Sequence, residues 1–230
     1  MKPMALVRLM QLSSQALPVG GYSHSQGLES AIEHEVVKDE GTVLRWISDV
    51  LEFSMKSFEI PCLLSMGAAW SAGDSAALTS LNDEFLATRE SAELRAAAVQ
   101  MGFSLRALLC VLPDLPSDTV DTLRAMPEPS LPCAWSAAAA AWQIEPREAV
   151  VGYLWVWAEN QVLVAMKVMP MGQSAGQHIL LVIGSRIGDL AATVSGAMGG
   201  ILGEGGSNFS PGLAILSSQH ETQYSRLFRS

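Results

Sequence analysis

The sequence predicts an all-α fold, a single bundle of about nine or ten helices packed around one buried central helix. Three observations carry that expectation. Apolar residues recur at helical spacing in one segment after another. Residues 146–168 are apolar almost all round, the mark of a helix with no solvent face. The chain is 49% hydrophobic and only 16% charged, so its 230 residues must hide much apolar surface in a large core or beneath other subunits.

Taken in order, Leu6, Leu9, Met10 and Leu12 define one face of a first helix over residues 5–16. Pro18 ends it, because its ring blocks the backbone and it has no N–H to donate. Gly20 and Gly21 then permit backbone angles that a Cβ would resist. Ser23 is expected to restart the chain as an N-cap, with Gln26 at capping-box spacing, giving a sharp helix-turn-helix corner and a second helix over 23–35. Asp39 or Thr42 caps a third, lined by Val43, Leu44, Ile47, Val50, Leu51 and Ser54. Pro61, tolerated in a first helical turn, opens a fourth through Trp70, and Asp74 caps a fifth to about Ala87.

Ser91-Ala92-Glu93-Leu94 opens a long helix with Leu94, Met101, Leu105, Leu108 and Leu112 on one side; Pro113 ends it. Arg95 and Arg106 lie on its polar side, as a solvated or salt-bridged face. Five prolines between 113 and 132 mark a connection around a short helix. Residues 133–143 carry five consecutive alanines, a small-residue surface that lets a neighbouring helix approach closely. Pro146 begins the apolar central helix.

After the Pro170-Met171-Gly172 break, residues 174–193 resume helical spacing, Gly172 terminating one helix and Gln173 or Ser174 capping the next. Six glycines between 196 and 206 loosen the chain, and Pro211-Gly212 interrupts it again. The last residues hold Tyr224, Leu227 and Phe228 beside Arg226 and Arg229, a mixture typical of binding peptides. We therefore divide the chain into an all-α body over 1–218 and a partner-binding tail over 219–230.

The formal net charge of −9 argues against nucleic acid and anionic membranes as partners, and favours basic partners or cationic cargo. Cys62, Cys110 and Cys133 are widely spaced without a C-x-x-C pair, so they read as buried thiols in a reducing compartment. The first residues run straight into a helical pattern with no signal-peptide core. The longest apolar stretch, 149–171, is interrupted by Glu159, Asn160, Gln161 and Lys167 and does not read as a membrane span. A cytoplasmic protein is expected.

Three chemical motifs need weighing. The glycines of the corner are not followed by Lys-Ser/Thr, so they are not a nucleotide phosphate loop. His24, Glu29, Glu33 and His34 suggest a metal site, but adjacent Glu33 and His34 diverge on a helix, and a capped corner with a solvated acidic face is the better reading. Gly172-Gln173-Ser174-Ala175-Gly176 matches a serine-hydrolase elbow, with Asp189 and His220 following in triad order. That elbow needs a strand feeding it, and helices precede Ser174 instead.

The run Leu17-Pro18-Val19-Gly20-Gly21-Tyr22-Ser23-His24-Ser25-Gln26-Gly27-Leu28-Glu29 resembles the signature near the start of the urease accessory protein UreF family. Further blocks follow in that family's order: Arg89-Glu90 with Glu93-Leu94-Arg95 and Gln100-Met101-Gly102, then Pro170-Met171-Gly172-Gln173 with Gln177, then residues 220–230. The resemblance spans nearly the whole chain. It implies an all-α nickel-metallochaperone scaffold, not an enzyme, that forms a homodimer and joins UreD (also called UreH) and the GTPase UreG to deliver nickel to the urease apoprotein. No cofactor of its own is implied: GTP and Mg²⁺ belong to UreG, and nickel is cargo. The partner-binding residues carried over are Gly20, Tyr22, Ser23 and Glu29 at the corner, Lys167, Gly172 and Gln173 about the break, and Tyr224, Arg226, Phe228 and Arg229 in the tail. Read without the resemblance, Lys167 snorkels from an apolar helix and His24 packs or caps.

Overall fold

A computed structural model of the chain describes residues 2–194, 208 and 210–230. The six glycines between 196 and 206 lie outside the described residues. No strand occurs among the described residues, and eleven α-helices follow one another. They are α1 (Pro3–Leu12), α2 (Leu28–Glu33), α3 (Glu40–Val50), α4 (Ile60–Ala72), α5 (Ser75–Ala87) and α6 (Ala92–Leu109). The rest are α7 (Ser117–Ala125), α8 (Leu131–Ala141), α9 (Pro146–Val168), α10 (Gln173–Thr193) and α11 (Pro211–His220). A π-helical segment, Leu51–Glu59, joins α3 to α4 without a break, so the pair forms one rod and the rods number ten among the described residues.

Local signals set most helix starts. Asp39 accepts the Thr42 N–H at 2.8 Å while the Thr42 hydroxyl accepts the Asp39 N–H at 2.9 Å, a reciprocal capping box. Asp74 accepts the Ala77 N–H at 2.9 Å and Ser91 the Leu94 N–H at 3.1 Å. Pro61 does not start a new helix. Lacking an N–H, and with a ring that crowds the turn before it, it follows a segment that has widened to π geometry.

At the centre lies α9, which buries Val150, Leu154, Ala158, Val162 and Ala165. It packs against α1, α2, α3, α4, α8 and α10. By length and hydropathy it could cross a membrane, yet 61% of its most apolar stretch is enclosed by the other helices. Each fully buried Leu or Val there contributes about 1.5–3 kcal/mol relative to exposure. Trp135 of α8 meets Tyr153 of α9 edge-on, with ring centres 5.5 Å apart. The alanine run keeps α8 thin: Ala134, Ala137 and Ala138 are fully buried where α4 and α6 close on it. A second, smaller core gathers Phe58, Cys62, Met66, Leu78, Phe85 and Cys133. Burial pushes the Cys62 and Cys133 thiols up to about 12, which keeps them protonated and unreactive.

The corner between α1 and α2 departs from expectation. The first helix stops at Leu12, not residue 16, and a loop with one 3-10 turn, Gly21–Ser23, leads to a second helix that starts at Leu28. Ser23 is no N-cap, since its hydroxyl donates back to the Gly20 carbonyl at 2.7 Å. Gln26 completes no capping box, because its side chain is taken by the Trp157 indole N–H at 2.7 Å. Left-handed angles at Gly20, Gln26 and Gly27 (φ 75°, 53° and 86°) hold the loop away from helix. The helix opened by Ser91 ends at Leu109, before Pro113. Ser130 caps α8, which starts at Leu131, two residues before the expected start. Neither Gln173 nor Ser174 caps α10; Gly172 holds the cap position in extended geometry.

Candidate functional site

The loop over residues 24–26 is a strap between α9 and the tail. On one side α9 holds its carbonyls: Asn160 donates to His24 at 2.8 Å and Gln161 to Ser25 at 3.1 Å. These are the polar residues that interrupt the apolar run of α9, and their work is to anchor this loop. On its other side the strap offers N–H groups. Those of Ser25 and Gln26 both donate to the main-chain oxygen of Ser230, the latter at 2.9 Å, and the Ser25 hydroxyl reaches the same oxygen at 2.6 Å. The Arg229 N–H donates to the Ser23 carbonyl at 2.8 Å, and His24 Nδ1 lies 2.8 Å from the Ser230 hydroxyl.

Glu29 completes the clamp. It is buried at the start of α2, where its carboxylate accepts the N–H groups of Leu227 and Phe228 at 2.7 and 3.0 Å. Its Oε2 also lies 3.0 Å from His220 Nε2. The opposite ring nitrogen of His220 lies 2.6 Å from Glu93 of α6, whose other oxygen takes Arg226 at 2.6 Å. His220 itself has no solvent exposure. Two carboxylates, one imidazole and one guanidinium thus form a continuous chain beneath the tail. Charge-assisted bonds of this kind are about twice as strong as neutral ones.

The remaining contacts are peripheral. Lys167, exposed near the end of α9, places its ammonium 5.6 Å from the centre of the Phe228 ring. Arg229 reaches Gln100 of α6 at 3.4 Å. Burial first, and the Arg229 guanidinium second, push the His24 imidazole down to about 4, so it is neutral near pH 7. Behind the clamp, Arg89 forms a buried ion pair with Glu59 at 2.8 Å, which also accepts the Tyr153 hydroxyl at 2.8 Å. Burial, then the Glu59 charge, raises the Tyr153 phenol well above its ordinary value. The Arg89 guanidinium sits 4.2 Å from the centre of the Phe85 ring.

The sequence-predicted site residues separate into three groups. Glu29, Arg226, Phe228, Arg229 and the Ser23 backbone meet in the clamp, with Gly20 and Tyr22 in the adjoining turn and Lys167 at its edge. Phe228 is turned inward and 7% exposed, so it fastens the tail to its own body instead of facing outward. Tyr224 and Leu227, by contrast, are fully and largely exposed, and Tyr22 is 60% exposed. Gly172 and Gln173 stay exposed at the start of α10, outside the clamp. The expected tail boundary at 219 falls inside α11, which continues to His220.

Glu29 is not on a solvated face. Glu33 and His34 point to solvent, His34 bonding only within its own helix to Ser30, so the four candidate metal ligands do not converge. No group of three His, Cys, Asp or Glu among the described residues is arranged to hold a metal ion. The hydrolase pattern dissolves: Ser174 is exposed in the first turn of a helix, no strand precedes it, and both nitrogens of His220 are engaged by glutamates. His220 and Glu93 were the residues that sequence reasoning undervalued. Their spacing gives no local sign of pairing, although both lie inside blocks shared with the family.

Three of these blocks, scattered over the sequence, meet in one clamp, and known proteins share them. The model of the UreF family matches residues 37–184. A urease accessory protein UreF from Dechloromonas aromatica is 51% identical, covering 98% of this chain and 97% of its own length. The chain belongs to the UreF family. Another UreF, from Azoarcus sp. strain BH72, is 52% identical over 98% of this chain and 95% of its own, and one from Janthinobacterium sp. is 45% identical over the full length of both. The name these relatives carry, urease accessory protein, denotes an accessory role and not a catalytic one.

Proposed function

We propose that this chain is the scaffold of a nickel-delivery complex, binding UreD/UreH and the GTPase UreG and regulating GTP-dependent transfer of nickel to the urease apoprotein. The observation that carries the reading is the docked tail. Main-chain bonds to the strap and Glu29 hold residues 227–230 in place, which leaves Tyr224, Leu227 and the Arg229 side chain on the outside. Exposed aromatic and arginine side chains on a preset backbone are what a protein interface uses as anchors. Lys167 and Arg229 give this face a basic character unlike the acidic chain as a whole, so it suits an acidic partner surface.

In this reading the chain holds no cofactor. GTP and Mg²⁺ sit on UreG, and nickel passes as cargo. The protein works in the cytoplasm as a homodimer, and Gly172 and Gln173, exposed at the start of α10, offer a second contact point. Complementation of a strain lacking its own UreF tests the proposal. Tyr224→Ala combined with Arg229→Ala should abolish urease activity and urease-bound nickel while leaving the level of urease protein unchanged. Full urease activation by that double variant would refute the reading.

A further inference from the structure

His220 has a carboxylate oxygen against each ring nitrogen, Glu29 at 3.0 Å and Glu93 at 2.6 Å, in a place with no access to solvent. A neutral imidazole has one N–H and one bare lone pair, and that lone pair would face a carboxylate oxygen. Only the imidazolium can donate to both. We propose that the tail is locked by a proton: His220 is held as the imidazolium between Glu29 and Glu93, and removing that proton releases the docked tail.

Charge counting over the groups bonded to one another supports the lock; Arg229, bonded to Gln100, and Lys167, over the Phe228 ring, make no bond to them. Glu29 of α2 and Glu93 of α6 supply two negative charges, and Arg226 of the tail supplies one positive charge through Glu93. With a protonated His220 the cluster is neutral; without the proton a buried net negative charge remains, which is costly in a low-dielectric setting. Glu221 is occupied in accepting the Ala92 N–H at 2.9 Å. His24, already neutral, adds no charge over the same change. The Ser91 and Ser217 hydroxyls, 2.6 Å apart, also link α6 to α11 and carry no charge.

Release would act on Glu29 first. The carboxylate that loses its imidazolium partner is the one that holds the Leu227 and Phe228 N–H groups. Glu93 would lose half of its cationic environment and hold Arg226 alone. The clamp and the docking face therefore respond to one proton. The lock concerns the isolated chain; only its consequence for assembly rests on the partner reading above.

The test is nitrogen NMR of the intact chain labelled with ¹⁵N-histidine, with amide exchange followed at Leu227 and Phe228 and corrected for intrinsic rates. His220→Gln identifies the His220 signals by their loss. The expected result is two ring N–H groups on His220 while both amides are protected, and loss of protection together with the ring proton as pH is raised. In His220→Gln, whose single amide cannot donate to both carboxylates in ring geometry, protection at the two amides should fall at least tenfold and lose its dependence on pH. Unchanged protection within α9 confirms that the fold persists in the variant. A neutral ring with one bare nitrogen beside a protected tail overturns the lock, as does a tail equally protected in His220→Gln. Because no partner is present, failure here leaves the docking proposal standing, and failure of docking leaves the lock standing.

Discussion

Single residues in this protein act through what they bury. Arg89 and Glu59 form an ion pair with side chains less than one-tenth exposed, and a buried charge that loses its partner costs about 3–5 kcal/mol. Arg89→Leu should therefore lower stability by about that amount in urea unfolding, whereas Glu52→Gln, which breaks the exposed pair with Lys56, should change it by less than about 1 kcal/mol. His24 gives a pH prediction of definite sign. Its folded pKa of about 4 lies below the ordinary histidine value of about 6.5, so the stability of the docked strap is fully present above that value and is lost as pH falls toward 4. The shift corresponds to about 3 kcal/mol. Unfolding measured across that interval should show the decline, and His24→Gln should flatten it.

At the scale of elements, the sharpest constraint lies where α6 crosses the start of α8. A Cβ built on Gly102 would lie 2.1 Å from the Pro129 carbonyl oxygen and 2.5 Å from a backbone carbon of Ser130. Backbone cannot step aside as a side chain can. Gly102→Ala should be strongly destabilising, about 3 kcal/mol or more in chemical unfolding by analogy with severe overpacking. Gly152→Ala meets mainly the ends of the Leu9 and Ser13 side chains and should cost less.

Elements were legible in the sequence where their causes are local. Pro146, Asp74 and Ser91 each mark a helix start through bonds or constraints within four residues, and α9, α5 and α6 begin where those residues predict. The corner after α1 was misread because its conformation is decided from afar. Gln26 is claimed by Trp157, and Glu29 by main-chain groups 198 and 199 residues further along. A capping-box spacing has no means of registering such competitors. The π-helical segment was illegible for a similar reason: Pro61 signals a constraint on the turn before it without fixing whether the rod stops or widens.

For the whole molecule, the buried central helix is both core and anchor. Its apolar faces organise the bundle, while Trp157, Asn160 and Gln161 hold the strap that receives the tail. The resemblance in the sequence identified the blocks, and the fold gives a physical reason for three of them to occur together: residues 20–29, 89–102 and 220–230 are parts of one clamp. In the function proposed above, this clamp presents a docking face to UreD and UreG. Size-exclusion chromatography with light scattering, on the chain mixed with UreD and UreG, tests it most directly. The intact chain should co-elute with both partners, and the Tyr224→Ala, Arg229→Ala double variant should elute apart from them while keeping its helical circular dichroism. Co-elution of the folded double variant at the same stoichiometry, or separate elution of the intact chain, would show that the clamp is not the docking face.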